Sequence, residues 1–329
     1  MRQDVTIAVV PGDPAGIGYE ITAKALAELQ TDGSLKGCRA VVYAHEGLFR
    51  DACERFAPGL LVTSVGCVCR ETLPEGVSVR DADVEIGQFR PGALDADCAR
   101  CAHAALMMSA ADVKSGQIDG ICTGPIHKGA MRMAGISEIG HTEMLATAFG
   151  AKDPMTLFIT RELRIFFYTR HLSLRQAIEA LNVADLVAFA QRMEVQTRQL
   201  GIESPHFALA ALNPHASDGG QFGHEEAEIL IPAAREMRRL GIDITDPIGA
   251  DSVFAQAAQG RYDAVLSLYH DQGHIAAKTY DFERTISATL GLPCLRTSVD
   301  HGTAMDIAWQ GRAQSISMAT AIRALLRYG

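Results

Sequence analysis

Three histidines recur in one local setting, each a few residues beyond an apolar run of strand length. Residues 163–168 lead into Thr169-Arg170-His171, residues 207–212 into Asn213-Pro214-His215, and residues 264–269 into His270-Asp271-Gln272-Gly273. In an open parallel sheet the carboxyl ends of the strands share one edge, which is where such folds bind ligands. The three imidazoles are therefore expected to converge there. Neutral imidazoles suit a divalent transition ion. Of Zn, Co, Mn, Ni and Mg, the first four accept nitrogen ligands, whereas magnesium wants a mostly oxygen shell. Such an ion would act as a Lewis acid. A single histidine at a strand end is more often a hydrogen-bonded structural residue, so it is the threefold repetition that points to a site. His224 and His274 are further ligand candidates that read more readily as supporting or exposed residues.

A second set of residues suits an anionic substrate. Gly140-His141-Thr142-Glu143, Asp251, Lys278 and Arg296 combine two cations able to neutralise a phosphate with His141 and Thr142 as hydrogen-bond donors. Taken singly, Lys278 and Arg296 would be ordinary solvated charges. For proton transfer the candidates are Lys128, Asp251 and Asp271. The glycine loop Gly12-Asp13-Pro14-Ala15-Gly16-Ile17-Gly18 invites a phosphate-cradling reading through Asp13 and Gly16. Its spacing is not Gly-x-Gly-x-x-Gly, however, and no acidic residue ends a second strand about 20 residues on. More telling is Asp300-His301-Gly302-Thr303-Ala304-Met305, a small-residue turn with polar groups that can wrap an adenosine without the Rossmann turn.

The elements that must position these groups alternate. A strand over 5–10, the glycine loop and a helix over 20–29 open the chain. Strands follow at 40–43, 120–123, 156–159, 163–168, 206–212, 263–268 and 293–297. Helices are expected over 96–114, 184–200 and 225–240. The class is α/β with mostly parallel sheets. Residues 59–95, rich in Gly, Pro and acidic side chains, read as a surface hairpin or extension. There is no fixed-period repeat, no low-complexity segment and no Pro- or Ser-rich linker.

Composition narrows the partners. The 329 residues carry 30 Lys plus Arg against 39 Asp plus Glu, a net charge of -9, and 48% are hydrophobic. An acidic chain without clustered Lys and Arg has no electrostatic reason to seek nucleic acid or anionic membranes. No apolar run approaches the roughly 18–20 residues that cross a bilayer, and the first residues lack the apolar core of a signal peptide, so a cytoplasmic chain is expected. Eight cysteines, sparse and irregular, are expected to stay reduced. Cys98-Ala-Arg-Cys101 and Cys67-Val-Cys69 have redox- or zinc-like spacing, but no second pair lies at zinc-ribbon distance and the first pair falls within a helical period.

Six segments resemble the PdxA family, 4-hydroxythreonine-4-phosphate dehydrogenase. They are the loop at residues 12–18, Thr123-Gly124-Pro125-Ile126-His127-Lys128, Gly140-His141-Thr142-Glu143, Asn213-Pro214-His215-Ala216, Tyr269-His270-Asp271-Gln272-Gly273 and the stretch from Arg296 to Ala304. They occur in one order across almost the whole chain. The same segments more distantly resemble isocitrate and isopropylmalate dehydrogenases. The resemblance implies a homodimer of two α/β/α domains, 1–125 with 294–329 and 126–293, with shared active sites. It implies His171, His215 and His270 as metal ligands, His270 coming from the other chain. His141, Thr142, Lys278 and Arg296 become substrate contacts near Asp251, and His301, Gly302, Thr303 and Ala304 the cofactor turn. The implied reaction uses NAD or NADP and a divalent metal to oxidise a 4-phosphorylated 3-hydroxy acid, whose 3-keto product loses carbon dioxide.

Three positions depart from the family pattern. Tyr19 stands where proline is usual, Ser287 where an asparagine usually meets the substrate, and Gly273-His274-Ile275 replaces an apolar continuation. The His274 form, with Met305-Asp306-Ile307-Ala308-Trp309, resembles a paralogous subgroup acting on 4-phospho-D-threonate or 4-phospho-D-erythronate. Rival classes are a metal-dependent aldolase or hydrolase that uses no nicotinamide, and a non-catalytic sugar-phosphate sensor.

Overall fold

The computed structural model describes residues 4–138 and 140–329. Contacts divide the chain into two compact units, Met1–Pro154 with Ile286–Gly329, and Met155–Thr285. In the first, β1 (Val5–Val10) is a β-branched, wholly buried run, the pattern of a central strand covered on both faces. It passes through the glycine loop into α1 (Gly18–Thr31), then β2 (Cys38–Ala44), α2 (Glu46–Phe56), β3 (Val62–Ser64), β4 (Gly76–Asp81), α3 (Ala96–Lys114), β5 (Gly120–Thr123), α4 (Lys128–Met133) and α5 (His141–Phe149). Asp95 caps α3, its carboxylate accepting from the Asp97 and Cys98 amides at 2.7 and 3.0 Å. Gly150, at φ 64°, ends α5 in the left-handed conformation that glycine adopts without strain.

The second unit holds β6 (Met155–Thr160), β7 (Leu163–Phe167), α6 (Leu174–Glu179), α7 (Val183–Arg198), β8 (Phe207–Leu209), α8 (Ile231–Arg239), α9 (Ala250–Ala258), β9 (Ala264–Ser267) and α10 (His270–Tyr280). The chain then adds β10 (Thr285–Leu290), β11 (Leu295–Val299) and α11 (Ile316–Tyr328). In the first unit the strand order is β3-β4-β2-β1-β5-β11-β10, parallel except for β10 against β11. In the second it is β6-β7-β9-β8, parallel except for β6 against β7. The α/β, mostly parallel class follows.

Three expectations need correction. Residues 126–154 and 286–293, read as part of the central domain, pack with the first unit because Ala130, Met131, Met144, Leu145 and Leu292 share one apolar core with Ala8, Val41 and Leu106. Residues 59–95 are no hairpin: β3 and β4 are parallel and extend the sheet edge beside β2. The helix expected over 225–240 is two pieces, a π-helical turn at Glu226–Leu230 and then α8, which carries a proline in its first turn. The second unit has its own core of Phe158, Ile165, Phe167, Ala208, Val253, Phe254 and Val265.

Candidate active site

β7, β9 and β8 run parallel, so their carboxyl ends do lie on one edge, and His171, His215 and His270 all follow them there. Backbone bonds carry the pairing past the strands, with Tyr168 and Thr169 amides donating to the Ser267 and Leu268 carbonyls. Gln272, buried, ties two strand ends together: its Nε2 donates to the Ala211 carbonyl at 2.7 Å and its Oε1 accepts from the Leu268 amide at 2.8 Å. His171 and His270 face each other with ring centroids 6.3 Å apart. His171 and His215 are exposed and His270 is half-buried. Among the described residues of one chain, no three His, Cys, Asp or Glu side chains gather closely enough to enclose an ion. The expected convergence is thus complete at the level of the sheet edge and incomplete at the level of the rings.

The donor chemistry nevertheless fits a transition ion. Asp271 Oδ1 lies 2.6 Å from His270 Nδ1, a contact that suits the tautomer with its proton on Nδ1 and its Nε2 lone pair turned to an ion. The His274 ring stacks on His270 at 3.7 Å and 10°, and its Nδ1 donates to the His270 carbonyl at 2.8 Å. Phe158 and Phe167 pack against His274, with ring centroids 4.2 and 4.4 Å away. His274 thus packs against and hydrogen-bonds His270.

Of the residues read as anion contacts, His141, Thr142, Ser287 and Arg296 lie in the first unit. Arg296, only 6% exposed, donates from Nε and Nη2 to Thr123 Oγ1 at 3.1 and 2.7 Å and from Nη1 to Thr289 Oγ1 at 3.1 Å. Among the described residues no carboxylate pairs with it. Burial pulls its pKa down to about 10, which still leaves a full cation at neutral pH. His141 begins α5. Burial, then the charge of Arg296, hold its pKa well below the ordinary value, so the ring is neutral. Its Nε2 is enclosed without a hydrogen-bond partner. No side chain caps α5, so its first amides are open where an anion would be favoured. Thr142 is half-buried in the same turn, and Ser287 lies opposite Ser298 across the β10–β11 pair. A buried cation without a counter-charge and an orphaned ring nitrogen suit a phosphate.

The cofactor candidates divide into two kinds. His301 and Gly302 are exposed, with open space around Gly302, and Ala304 is left-handed at φ 41°. This turn could hold a nicotinamide nucleotide. Asp13 and Gly16 are fully enclosed, and the end of their loop backs the turn: the Ile17 amide donates to the Thr303 carbonyl, and a Cβ on Gly16 would fall 2.9 Å from Thr303 Cβ. A Cβ on Gly12 would lie 2.1 Å from the Pro125 carbonyl oxygen, so the loop's glycines serve close backbone packing. Trp309, the chain's single tryptophan, closes the cluster by donating from Nε1 to the Pro14 carbonyl at 2.8 Å beneath Tyr19, Phe56 and Phe89.

Asp13 is fully buried, and desolvation, partly offset by its bond from the Ala15 amide, raises its pKa to about 6. Its Oδ2 has no partner. A raised carboxyl contributes stability below its unfolded pKa, and that contribution is lost as pH rises through 3.8 to about 6. Ionised Asp13 then costs about 3 kcal/mol. Asp13→Asn is expected to raise the melting temperature above pH 6 and to leave it nearly unchanged below pH 4, as read by pH-resolved thermal denaturation.

Lys128, exposed, is at the start of α4 in the first unit, whereas Asp251, Asp271 and Lys278 belong to the second. Lys278 and Arg296, read together as one phosphate clamp, therefore come from different units. Lys278 Nζ lies over the Phe282 ring at 5.0 Å, and Asp251 lines an apolar cavity of about 400 Å³ with Leu163, Phe254, Ile275 and Tyr280. Sequence reasoning missed Thr123 and Thr289 as the hydroxyls that hold Arg296, and Gln272 as a tie. Threonines at strand positions look like ordinary β-formers. Gln272 was visible only as a member of its motif.

The profile of the family described as pyridoxal phosphate biosynthetic protein PdxA matches residues 36–325. A Symbiobacterium thermophilum protein named "Putative D-threonate 4-phosphate dehydrogenase" is 43% identical over 98% of this chain and 96% of its own, and a Fusobacterium nucleatum protein of the same name is 40% identical over the same shares. The crystal structure of 4-hydroxythreonine-4-phosphate dehydrogenase from Klebsiella pneumoniae superposes with a TM-score of 0.85 at 34% identity, covering 98% of both chains. With the buried Arg296 beside His141 and the histidine edge on the page, these matches show that the chain belongs to the PdxA family.

Proposed function

We propose that this chain is a cytoplasmic dehydrogenase that oxidises a 4-phosphorylated 3-hydroxy acid at C3 with NAD or NADP, in a divalent-metal-dependent reaction completed by decarboxylation. The single observation that carries the phosphorylated substrate is Arg296, a buried cation without a counter-charge beside the orphaned His141 Nε2. Relatives at 43% and 40% identity bear the D-threonate 4-phosphate name, against 34% for the 4-hydroxythreonine-4-phosphate structure. This favours an acid with a hydroxyl rather than an amine at C2, 4-phospho-D-threonate or 4-phospho-D-erythronate, giving dihydroxyacetone phosphate.

An ion held by His171, His215 and His270 would supply Lewis acidity, and a nucleotide at His301–Gly302–Thr303–Ala304 the hydride acceptor. Arg296, His141 and the amides opening α5 bind the phosphate, with Thr142, Ser287 and Lys278 as further substrate contacts. Fixing that remote charge orients the reacting carbon. Oxidation removes a hydride from C3 and the proton of its hydroxyl. The candidates to take that proton are Asp251 and Asp271 as carboxylates and Lys128 as the free amine. The C1–C2 bond then breaks, carbon dioxide leaves, and a proton returns to C2. Following the family resemblance, in which His270 comes from the other chain, we assign the third donor to a second copy, His270 of one chain joining His171 and His215 of the other in a homodimer.

The test is an assay of 4-phospho-D-threonate, 4-phospho-D-erythronate and 4-hydroxythreonine-4-phosphate with NAD and with NADP. Reduced nicotinamide and dihydroxyacetone phosphate are expected from a C2-hydroxy acid. Reduction only with the aminated acid would move the substrate to 4-hydroxythreonine-4-phosphate. Cleavage without nicotinamide reduction would instead make the protein an aldolase.

A further inference from the structure

His215 is held in an unusual backbone. His215, Ala216, Ser217 and Asp218 have φ of 51°, 52°, 71° and 45°, all left-handed, and Gly219, Gly220 and Gly223 continue with positive φ. Non-glycine residues adopt this conformation singly and at a cost, so four in succession persist only where the surroundings impose them.

A buried carboxylate anchors the entry to this run. Glu226, 2% exposed, opens the π-helical turn and accepts from the Leu212 and Asn213 amides through Oε1 at 2.9 and 2.8 Å, and from Asn213 Nδ2 through Oε2 at 2.8 Å. Glu225 Oε2 accepts from the same Asn213 Nδ2 at 2.7 Å, and Ser217 Oγ donates to the Gly223 carbonyl at 2.8 Å. Glu226 thus grips Leu212 and Asn213, the two residues immediately before the Pro214–His215 step. Every bond it makes is one it accepts, and this is a task for which a carboxylate has four lone-pair sites and an amide too few.

We infer that Glu226 is a positioning residue for His215, setting the ion affinity of the site through backbone strain without touching the ion. The inference rests on the metal reading above. Without the carboxylate, the run 215–218 is free to relax toward right-handed geometry and carry the imidazole away from the sheet edge.

The experiment is Mn²⁺ binding to the full-length protein, read from the electron paramagnetic resonance of the free ion, for wild type, His215→Ala, Glu226→Gln and Asn213→Ala. Glu226→Gln puts an NH₂ against the donors Oε2 now accepts and is expected to weaken binding about 10- to 100-fold. Asn213→Ala, which leaves both backbone bonds to Glu226, serves if the glutamine variant does not fold, and is expected to weaken binding by a smaller factor. Adding Ala216→Gly to Glu226→Gln is expected to recover part of the affinity, because glycine removes strain at one position of the turn. A structural role alone would lower the melting temperature and leave the affinity of the folded protein where it was. Wild-type affinity in Glu226→Gln, or in Asn213→Ala where that variant stands in, overturns the inference alone. Wild type that binds no Mn²⁺ removes the metal reading and the inference with it.

Discussion

Replacing Arg296 by methionine is expected to lower kcat/KM for a phosphorylated acid by roughly 10²- to 10³-fold, the loss that follows truncation of one partner in a buried charge-assisted pair. The same change is expected to leave the melting temperature of the ligand-free protein unchanged or higher. The guanidinium is 6% exposed, and only two threonine hydroxyls compensate for its lost hydration. A buried charge without a partner opposes folding, and an apolar side chain of similar length does not. Inorganic phosphate should therefore raise the melting temperature of the wild type by mass action and do nothing for Arg296→Met. A variant that loses activity and stability together, yet keeps its thermal response to phosphate, would mean that Arg296 is structural. Arg296→Lys is expected to recover little, since a point charge cannot reach both Thr123 and Thr289 and still face a substrate.

The second large effect concerns the histidines. His171→Ala and His270→Ala are each expected to abolish detectable turnover and bound transition metal. Mixed and allowed to exchange subunits, they should regain activity. If His270 of one chain serves His171 of the other, each mixed dimer holds one site with both mutations and one with neither. At equal amounts and random exchange, about a quarter of all sites are then intact. If both histidines of a site belong to one chain, every site carries one lesion and mixing restores nothing. The 6.3 Å approach of the two rings within one chain makes this a real alternative, which steady-state rates of the mixture decide.

The elements were legible where their pattern is local. The β-branched stretch of β1 and the capped, small-residue period of α3 match their expected bounds, because burial and capping there depend on neighbours in sequence. The strand-end histidines were legible for the same reason: a strand followed by a polar turn reveals which edge its side chains occupy. What was not legible depends on tertiary encounters. That Gly16 would pack against Thr303 and that Asp13 would be fully buried follow from encounters across more than a hundred positions of sequence. The Arg296–Thr123 bond spans 173 positions, and nothing in a Thr-Gly-Pro stretch announces it. Parallel pairing of the short β3 with β4 was equally hidden, since three residues are too few to show a period.

Trp309 gives the protein a built-in optical reporter. The indole is 3% exposed, fixed to the Pro14 carbonyl and ringed by Tyr19, Phe56 and Phe89, five residues beyond Ala304. All indole emission from this chain therefore originates beside one turn, and excitation near 295 nm observes that neighbourhood without labelling or mutation. A dinucleotide settling on His301 and Gly302 would do so next to the only strong fluorophore, whose emission serves as a titration readout independent of turnover.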